Sequence, residues 1–160
     1  MGEAYVTMIK LDVKQLIEEL NKALADEWLA YYQYWIGAKV VEGKMAPTVE
    51  AELIEHANEE LKHAEMIADR IMQLGGVPIL KPEEWYKKTN CGYAEPKDFS
   101  SVAILKQNIE GERCAIGIYH KLLEMTKGKD ILTYHMILEI FKDEVEHEDD
   151  LEKILNDIEK

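Results

Sequence analysis

The amino-acid sequence predicts an all-α protein, a four-helix bundle in which a long crossover joins the second helix to the third. Three observations predict this fold. Apolar residues recur at helical spacing over four long stretches, glycines and prolines separate the stretches, and strand signals are absent. With 160 residues, 47% of them hydrophobic, the chain is expected to form one globular domain spanning residues 1–160.

The first two helices are expected to form a tight hairpin. The first is predicted over residues 11–42, and Gly43 is expected to end it. Pro47 suits the first turn of the second helix, which is predicted to run to the Gly75-Gly76 pair. Because the link between the two helices is short, they should pack as antiparallel neighbours.

Residues 76–98 interrupt the helical pattern with prolines and a glycine, and at most a short helical turn is expected around Glu83 to Lys88. A connection of this length lets a second helical hairpin pack alongside the first. An up-down-up-down bundle would not require such a crossover.

The second hairpin is predicted from Phe99 onward. Its first helix should run to Lys127, with Asp98 or Ser100 as the N-cap. Asp130 is expected to cap a fourth helix that continues almost to the C-terminus.

Two Glu-x-x-His motifs lie on the helices predicted to come second in each hairpin. One is Glu60 with His63, and the other is Glu144 with His147. Helical residues three apart project to the same side, so each motif can present a carboxylate and an imidazole to one metal ion. A single motif of this kind is weak evidence because glutamate is abundant in this chain.

The spacing between helices strengthens the interpretation. Glu27 precedes Glu60 by 33 residues and Glu110 precedes Glu144 by 34. We expect Glu27 and Glu110 on the apolar faces of their helices, where an unpaired carboxylate is costly to bury. Both hairpins thus carry the same layout, and six ligands are predicted to meet inside the bundle.

Charge balance indicates which metals such a centre would take. Four carboxylates converging in a core would repel one another strongly, and two Fe2+ ions would supply the compensating charge. Oxygen and imidazole ligands without thiolate favour iron, or alternatively manganese, over a structural tetrahedral zinc. Two irons per chain are therefore expected.

Composition excludes several other classes of protein. The net charge of −13 and the lack of a lysine-rich tail make nucleic-acid binding improbable. No apolar run approaches the roughly 20 residues of a membrane helix, and the N-terminus lacks the apolar core of a signal peptide. The expected compartment is the cytoplasm.

From about residue 15 to 155, the arrangement resembles the ferritin superfamily, most closely the bacterioferritin-type di-iron centre. The resemblance implies that Glu27 and His63 bind one iron. It implies that Glu110 and His147 bind the other, with Glu60 and Glu144 bridging the two. Tyr34 matches a tyrosine beside the bacterioferritin centre, where it would act as a hydrogen-bond or electron donor.

At specific positions this sequence differs from several families of the ferritin superfamily. Bacterioferritins bind haem through a methionine directly after the second-helix glutamate, and this chain has Leu61 there, so haem is not expected. Rubrerythrins add a carboxylate three residues after the third-helix glutamate, and this chain has Arg113 there, which disfavours a rubrerythrin-type peroxidase. The sixteen residues after Glu144 leave no room for the fifth helix of twenty-four-subunit ferritins. The short end resembles the twelve-subunit Dps family.

A Dps-like group called thioferritins combines a twelve-subunit shell with a di-iron site inside each subunit and a nearby cysteine pair. Cys91 and Cys114 are expected to approach each other here, as a redox-active or structural pair, with two inert thiols as the alternative. His56, one heptad before His63, is expected at a surface or interface, with a place beside the ligands as the alternative.

The expected function is that of a ferroxidase in an iron-storage and oxidative-defence cage, a homo-oligomer expected to have twelve subunits. It would oxidise Fe2+ with hydrogen peroxide or oxygen at the paired site. One alternative is a small di-iron or di-manganese peroxidase or catalase that stores no mineral. Another is a structural bundle without metal.

Overall fold

A computed structural model describes residues 2–160, and Met1 of the predicted domain lies outside the described residues. The fold is the predicted all-α bundle with a long crossover. In chain order the helices are α1 (Glu3–Val6), α2 (Val13–Val40), α3 (Ala46–Gln73), α4 (Trp85–Lys88), α5 (Ser101–Thr126) and α6 (Ile131–Glu159), with a 3-10 turn (Pro82–Glu84) before α4. Within residues 2–160, α6 is the last helix. The same residues form no strand, and Glu42 and Ser100 make one isolated bridge.

Side-chain caps set where three of the long helices begin. The Asp12 carboxylate accepts from the backbone N–H groups of Lys14 and Gln15 at 2.9 and 3.2 Å, so α2 begins at Val13. Ser100, not Asp98, caps α5 by accepting from the Ala103 N–H. Asp130 caps α6, as the sequence predicts.

The turn after α3 brings the first hairpin close together. Gly75 has φ +83°, a left-handed conformation that favours glycine. A Cβ at Gly76 would lie 2.7 Å from Cγ2 of Ile17 on α2. A side chain at this position would force Ile17 to shift, so glycine lets the chain leave α3 close to α2.

Hydrogen bonds and an aromatic stack hold the crossover against α2. The Asp26 carboxylate accepts from the Thr89 hydroxyl at 2.5 Å and from the backbone N–H groups of Asn90 and Cys91 at 2.8 and 3.0 Å. Trp85 stacks on Trp28 with ring centroids 5.3 Å apart. These contacts fix the position of Cys91 against the bundle.

A buried ion pair joins the end of α3 to the start of α6. Arg70 on α3 donates from Nη2 to both carboxylate oxygens of Asp130 at 3.1 Å and from Nε to the Thr133 hydroxyl at 2.8 Å. The Tyr5 hydroxyl donates to the same carboxylate at 2.8 Å. Asp130 thus ties α1, α3 and the start of α6 together.

The core consists of two apolar clusters separated along every long helix. The first contains Leu16, Leu20, Ala64, Ile67, Ile71, Leu122, Ile137 and Ile140. The second contains Ala38, Val49, Leu53, Ile104, Leu105, Leu151 and Ile158. The residues between these clusters on each helix include buried glutamates and histidines, which form a polar layer inside the bundle.

The helices within residues 2–160 include none with the combination of length and apolar character that spanning a membrane requires.

Candidate metal centre

The polar layer gathers carboxylates and imidazoles from all four long helices. Its members are Glu27, Glu60, His63, Glu112, Glu144 and His147, each at most 3% exposed. They form two overlapping groups whose possible ligand atoms lie within 4.8 Å of one another. One group adds Glu27 and His63 to the shared pair Glu60 and Glu144, and the other adds Glu112 and His147. The arrangement could hold two adjacent cations that share Glu60 and Glu144.

The first half of the centre is organised around Nδ1 of His63. This atom lies 3.1 Å from Glu60 Oε2 and 3.1 Å from Glu144 Oε1. It lies 3.5 Å from Glu27 Oε2. Three carboxylates from three helices therefore face one imidazole nitrogen.

The second half repeats this pattern around Nδ1 of His147. The distances are 3.4 Å to Glu60 Oε1, 3.6 Å to Glu112 Oε1 and 3.7 Å to Glu144 Oε2. Glu60 and Glu144 thus turn one oxygen toward each half.

The outward nitrogens of the two histidines are held in matching ways. His63 Nε2 lies 3.0 Å from Asp143, the residue before Glu144. His147 Nε2 lies 2.5 Å from Glu59, the residue before Glu60. A carboxylate at the outer nitrogen fixes the orientation of an imidazole ring and makes its inner nitrogen a better ligand.

Two buried tyrosines hold the remaining glutamates. Tyr34 on α2 donates a hydrogen bond to Glu112 on α5, and Tyr119 on α5 donates one to Glu27 on α2. Each tyrosine follows a glutamate of its own helix by seven residues and binds the glutamate of the other hairpin. The predicted place of Tyr34 beside the centre agrees with this geometry. Tyr119 is its counterpart, and the sequence interpretation missed it.

The predicted ligand Glu110 lies outside the centre and requires a correction. Its side chain is 70% exposed, and its Oε1 lies 2.7 Å from Nη1 of Arg113. Glu112 takes the expected place. Two helical residues correspond to a rotation of about 200°, so Glu110 and Glu112 cannot both face the core. With Glu112 as the α5 carboxylate, the residue three positions later is Ala115, not Arg113.

The two cysteines meet at the edge of the centre. Cys91 and Cys114 are joined by a disulfide with Cα atoms 5.9 Å apart. Both line a cavity of about 260 Å³ whose wall also includes Glu27, Glu112 and Tyr34. The cavity places the disulfide beside the carboxylates, while a redox role for it stays a prediction.

The four buried carboxyl groups form two pairs, one with raised pKa values and one with lowered pKa values. Burial, with the charges of Glu60 and Glu144, raises the pKa of Glu27 well above its usual range. Burial and the charge of Glu144 raise the pKa of Glu112 likewise. Burial also opposes ionisation of Glu60, but its contacts with the imidazoles of His147 and His63 hold its pKa below the usual range. The pKa of Glu144 is lowered because its histidine contacts outweigh burial and the charge of Glu60.

Burial disfavours the charged form of both histidines, but the surrounding carboxylates reverse the effect. The pKa of His63 is raised by its contacts with Glu144 and Glu27. The pKa of His147 is raised by Glu112 and Glu144. These shifts favour a balance of the carboxylates of Glu60 and Glu144 against the imidazolium forms of His63 and His147. Two divalent cations could replace the protons and preserve that balance.

The donor set fits such a cation pair. Five buried ligand atoms have no hydrogen-bond partner, namely Glu27 Oε2, Glu60 Oε1, Glu112 Oε2, Glu144 Oε1 and His147 Nδ1. Leaving a buried acceptor unsatisfied costs about 1–3 kcal/mol, so several in one layer indicate a ligand. Carboxylate oxygens and imidazole nitrogens suit iron or manganese.

His56 also lies in this region, contrary to the expected surface or interface position. It is 3% exposed, and its ring stacks on His147 with centroids 4.0 Å apart. The alternative prediction, a place beside the ligands, agrees with the structure.

The chain is similar to a family of known proteins over most of its length. The sequence model of the ferritin-like domain family matches residues 17–160. The DNA protection during starvation protein of Pyrococcus furiosus is 37% identical over 147 residues, which cover 91% of this chain and 79% of that protein. A bacterioferritin of Desulfovibrio desulfuricans is 31% identical over 134 residues, covering 83% and 70% respectively.

Solved structures of related proteins are also similar to this chain. The bacterioferritin-related protein of Bacteroides fragilis, described as a dodecameric thioferritin, superposes with a TM-score of 0.96. It is 50% identical in sequence, and the match covers 98% of this chain and 95% of that one. Dps from Thermosynechococcus elongatus shares the fold with a TM-score of 0.84 at 17% identity, covering 89% and 90%.

Proposed function

This chain belongs to the ferritin-like family, and we propose that its buried paired site is a ferroxidase centre that oxidises Fe2+ for iron storage and oxidative defence. The observation that carries the proposal is the pair of overlapping ligand groups that share Glu60 and Glu144. Such sharing holds two cations side by side, as a reaction that takes two electrons requires. The family supports iron as the metal.

Iron is the substrate in this reaction, and the oxidant comes from solution. Two Fe2+ ions each give one electron to one molecule of hydrogen peroxide, whose O–O bond breaks. With two protons, the products are two Fe3+ ions and two water molecules. With oxygen as the oxidant, the same two electrons and two protons give one molecule of hydrogen peroxide.

The protein supplies position and charge. Four carboxylates match the charge of two Fe2+ ions, which lets the cations enter a layer that excludes most water. Tyr34 and Tyr119 keep the terminal carboxylates aimed inward. Asp143 and Glu59 do the same for the imidazoles of His63 and His147. Ordered ligands reduce the rearrangement that accompanies the change from Fe2+ to Fe3+.

We further propose that the chain assembles as a twelve-subunit shell in the cytoplasm that stores the ferric product. The 50% identity to a protein described as dodecameric supports this assembly. The name of the Pyrococcus relative mentions DNA protection. A chain with a net charge of −13 is ill suited to bind phosphate backbones, so we propose protection through removal of Fe2+ and peroxide. No haem site is proposed.

The test is rapid-mixing measurement of Fe2+ oxidation by hydrogen peroxide, using Glu144→Ala. Glu146→Ala is the matched control, because Glu146 lies on the same helix but is exposed. We expect Glu144→Ala to lose at least 100-fold in initial rate, and the control to stay within twofold of the unchanged protein. Near-normal oxidation by Glu144→Ala would refute the proposal.

One observation favours a second candidate, a di-iron or di-manganese peroxidase that stores no mineral. The disulfide lines the same cavity as the carboxylates, so its dithiol form would supply the two electrons that reduce one molecule of hydrogen peroxide. Iron loading followed by native mass measurement separates the two functions. A shell with hundreds of iron atoms supports storage, whereas a small oligomer with two metals per chain supports the peroxidase.

A further inference from the structure

A second cluster of metal-ligating side chains lies outside the six residues of the paired centre. Glu52 and His56 stand one turn apart on α3, and Asp150 faces them from α6. One ligand atom of each lies within 4.8 Å of the others. None of the three belongs to the groups that share Glu60 and Glu144.

The imidazole of His56 is held firmly in one orientation. It stacks on His147 with centroids 4.0 Å apart and 20° between the planes, and it lies edge-on to Tyr34 at 5.3 Å. Both contacts involve the ring rather than its nitrogens. They fix the ring with almost no exposed surface.

The polar contacts of this ring point to a ligand. Nδ1 of His56 is buried and has no hydrogen-bond partner. Nε2 lies 3.2 Å from Glu52 Oε1, and Asp150 offers a ligand atom within 4.8 Å of one from each of these two residues. The single polar contact of this buried histidine is thus with a carboxylate of the cluster, and its other nitrogen is left without a partner.

The two carboxylates are only partly satisfied by the protein. The Glu52 side chain is 25% exposed, and its ion-pair contact is with His56. Asp150 Oδ1 lies 3.1 Å from Nζ of Lys153, whose side chain is 64% exposed. An exposed pair of this kind contributes little and is readily exchanged for another cation. The cluster is therefore accessible from solvent on one side and backed by a buried ring on the other.

We infer that Glu52, His56 and Asp150 form a third divalent-cation site, separate from the paired centre. Two carboxylates and one imidazole, without thiolate, suit first-row transition cations such as Fe2+, Mn2+ or Zn2+. His56 of this cluster stacks on His147 of the paired centre, so the two sites are neighbours that share no ligand. The inference concerns binding alone and does not require the oxidation chemistry proposed above.

The test is anomalous diffraction from crystals of the full chain soaked in Zn2+, because it locates each cation individually. The unchanged protein should show a peak about 2.0–2.2 Å from His56 Nε2 and from oxygens of Glu52 and Asp150. The variant Glu52→Gln/Asp150→Asn should lose this peak, since amides bind Zn2+ poorly. It leaves His56, and with it the contacts to Tyr34 and His147, unchanged.

Glu50→Gln is the matched control, because it removes one charge from an exposed position of α3. The peak should remain in this variant. Absence of the peak from the unchanged protein while the paired centre is filled would overturn the inference, as would a peak that survives in Glu52→Gln/Asp150→Asn. The paired centre appears in the same maps, so failure of one assignment is distinct from failure of the other.

Discussion

Tyr34 on α2 donates a hydrogen bond to Glu112 on α5, and so joins the two hairpins at the level of the buried ligands. Tyr119 donates to Glu27 in the opposite direction. Through these two hydrogen bonds, each hairpin positions a buried glutamate of the other hairpin. Neither hairpin alone could hold its own terminal glutamate in this way.

The first prediction concerns which α5 glutamate serves the centre. Glu112→Gln should lower the initial rate of Fe2+ oxidation at least 100-fold, because one cation position loses its terminal carboxylate. Glu110→Gln changes the same side chain two residues away, at an exposed site, and should stay within twofold. Rapid mixing with hydrogen peroxide measures both rates. The reverse ranking would show that the assignment of Glu112 is mistaken.

The second prediction concerns the tyrosines. Tyr119→Phe removes the hydrogen bond to Glu27 but keeps the ring, and we expect the affinity for divalent cations to fall about 10–100-fold. Anaerobic titration with Fe2+ measures the loss. Tyr134→Phe is a suitable control because Tyr134 lies outside the centre and packs against the first apolar cluster. Equal affinities for all three proteins would mean that Tyr119 does not orient Glu27.

The third prediction concerns the disulfide between Cys91 and Cys114, which closes a loop with a sequence separation of 23 residues. Loop closure of this size is worth about 3 kcal/mol in the free energy of unfolding. The variant Cys91→Ser/Cys114→Ser should lose about that much in urea unfolding. Reductant should destabilise the unchanged protein similarly and leave the variant unaffected. An unchanged protein that is indifferent to reductant would argue against the bond.

The fourth prediction concerns acid stability. Burial opposes ionisation of Asp130, but hydrogen bonds from Thr133 and Tyr5 and the charge of Arg70 hold its pKa below the usual value of 3.8. A lowered folded-state pKa contributes stability that is present above the unfolded-state pKa and is lost as pH falls through the folded-state pKa. Below about pH 3.8, this contribution should therefore decline.

The matched comparison is Asp130→Asn, which removes the ionisable group. The difference in Tm between the unchanged protein and this variant should be constant from pH 7 to about 5, and should shrink as pH falls below about 4. Thermal unfolding at a series of pH values measures it. A difference that grows toward low pH would contradict the direction of the pKa shift.

Much of the fold could be predicted because it depends on local features. Apolar spacing located the four long helices, and the cap at Asp130 was recognisable from residue type alone. The path of the crossover could not be predicted in detail. It depends on the Asp26 carboxylate binding backbone groups more than sixty residues away. Periodicity contains no information about such contacts.

The candidate site was predicted less completely for a specific reason. Glu110 and Glu112 are both available on α5, and the spacing to Glu144 alone, 34 or 32 residues, did not distinguish them. The pairing of Glu27 with Tyr34 contained the missing signal. A tyrosine also follows Glu112 by seven residues, at Tyr119, but no tyrosine stands at that distance from Glu110.

The most direct test of the account is anomalous diffraction at the iron edge from crystals loaded with Fe2+ without oxygen. We predict two adjacent peaks between α2, α3, α5 and α6, both contacting Glu60 and Glu144, one also near Glu27 and His63 and the other near Glu112 and His147. A bundle that binds no iron between these side chains, or that binds it only at Glu110 and the outer surface, would contradict the account.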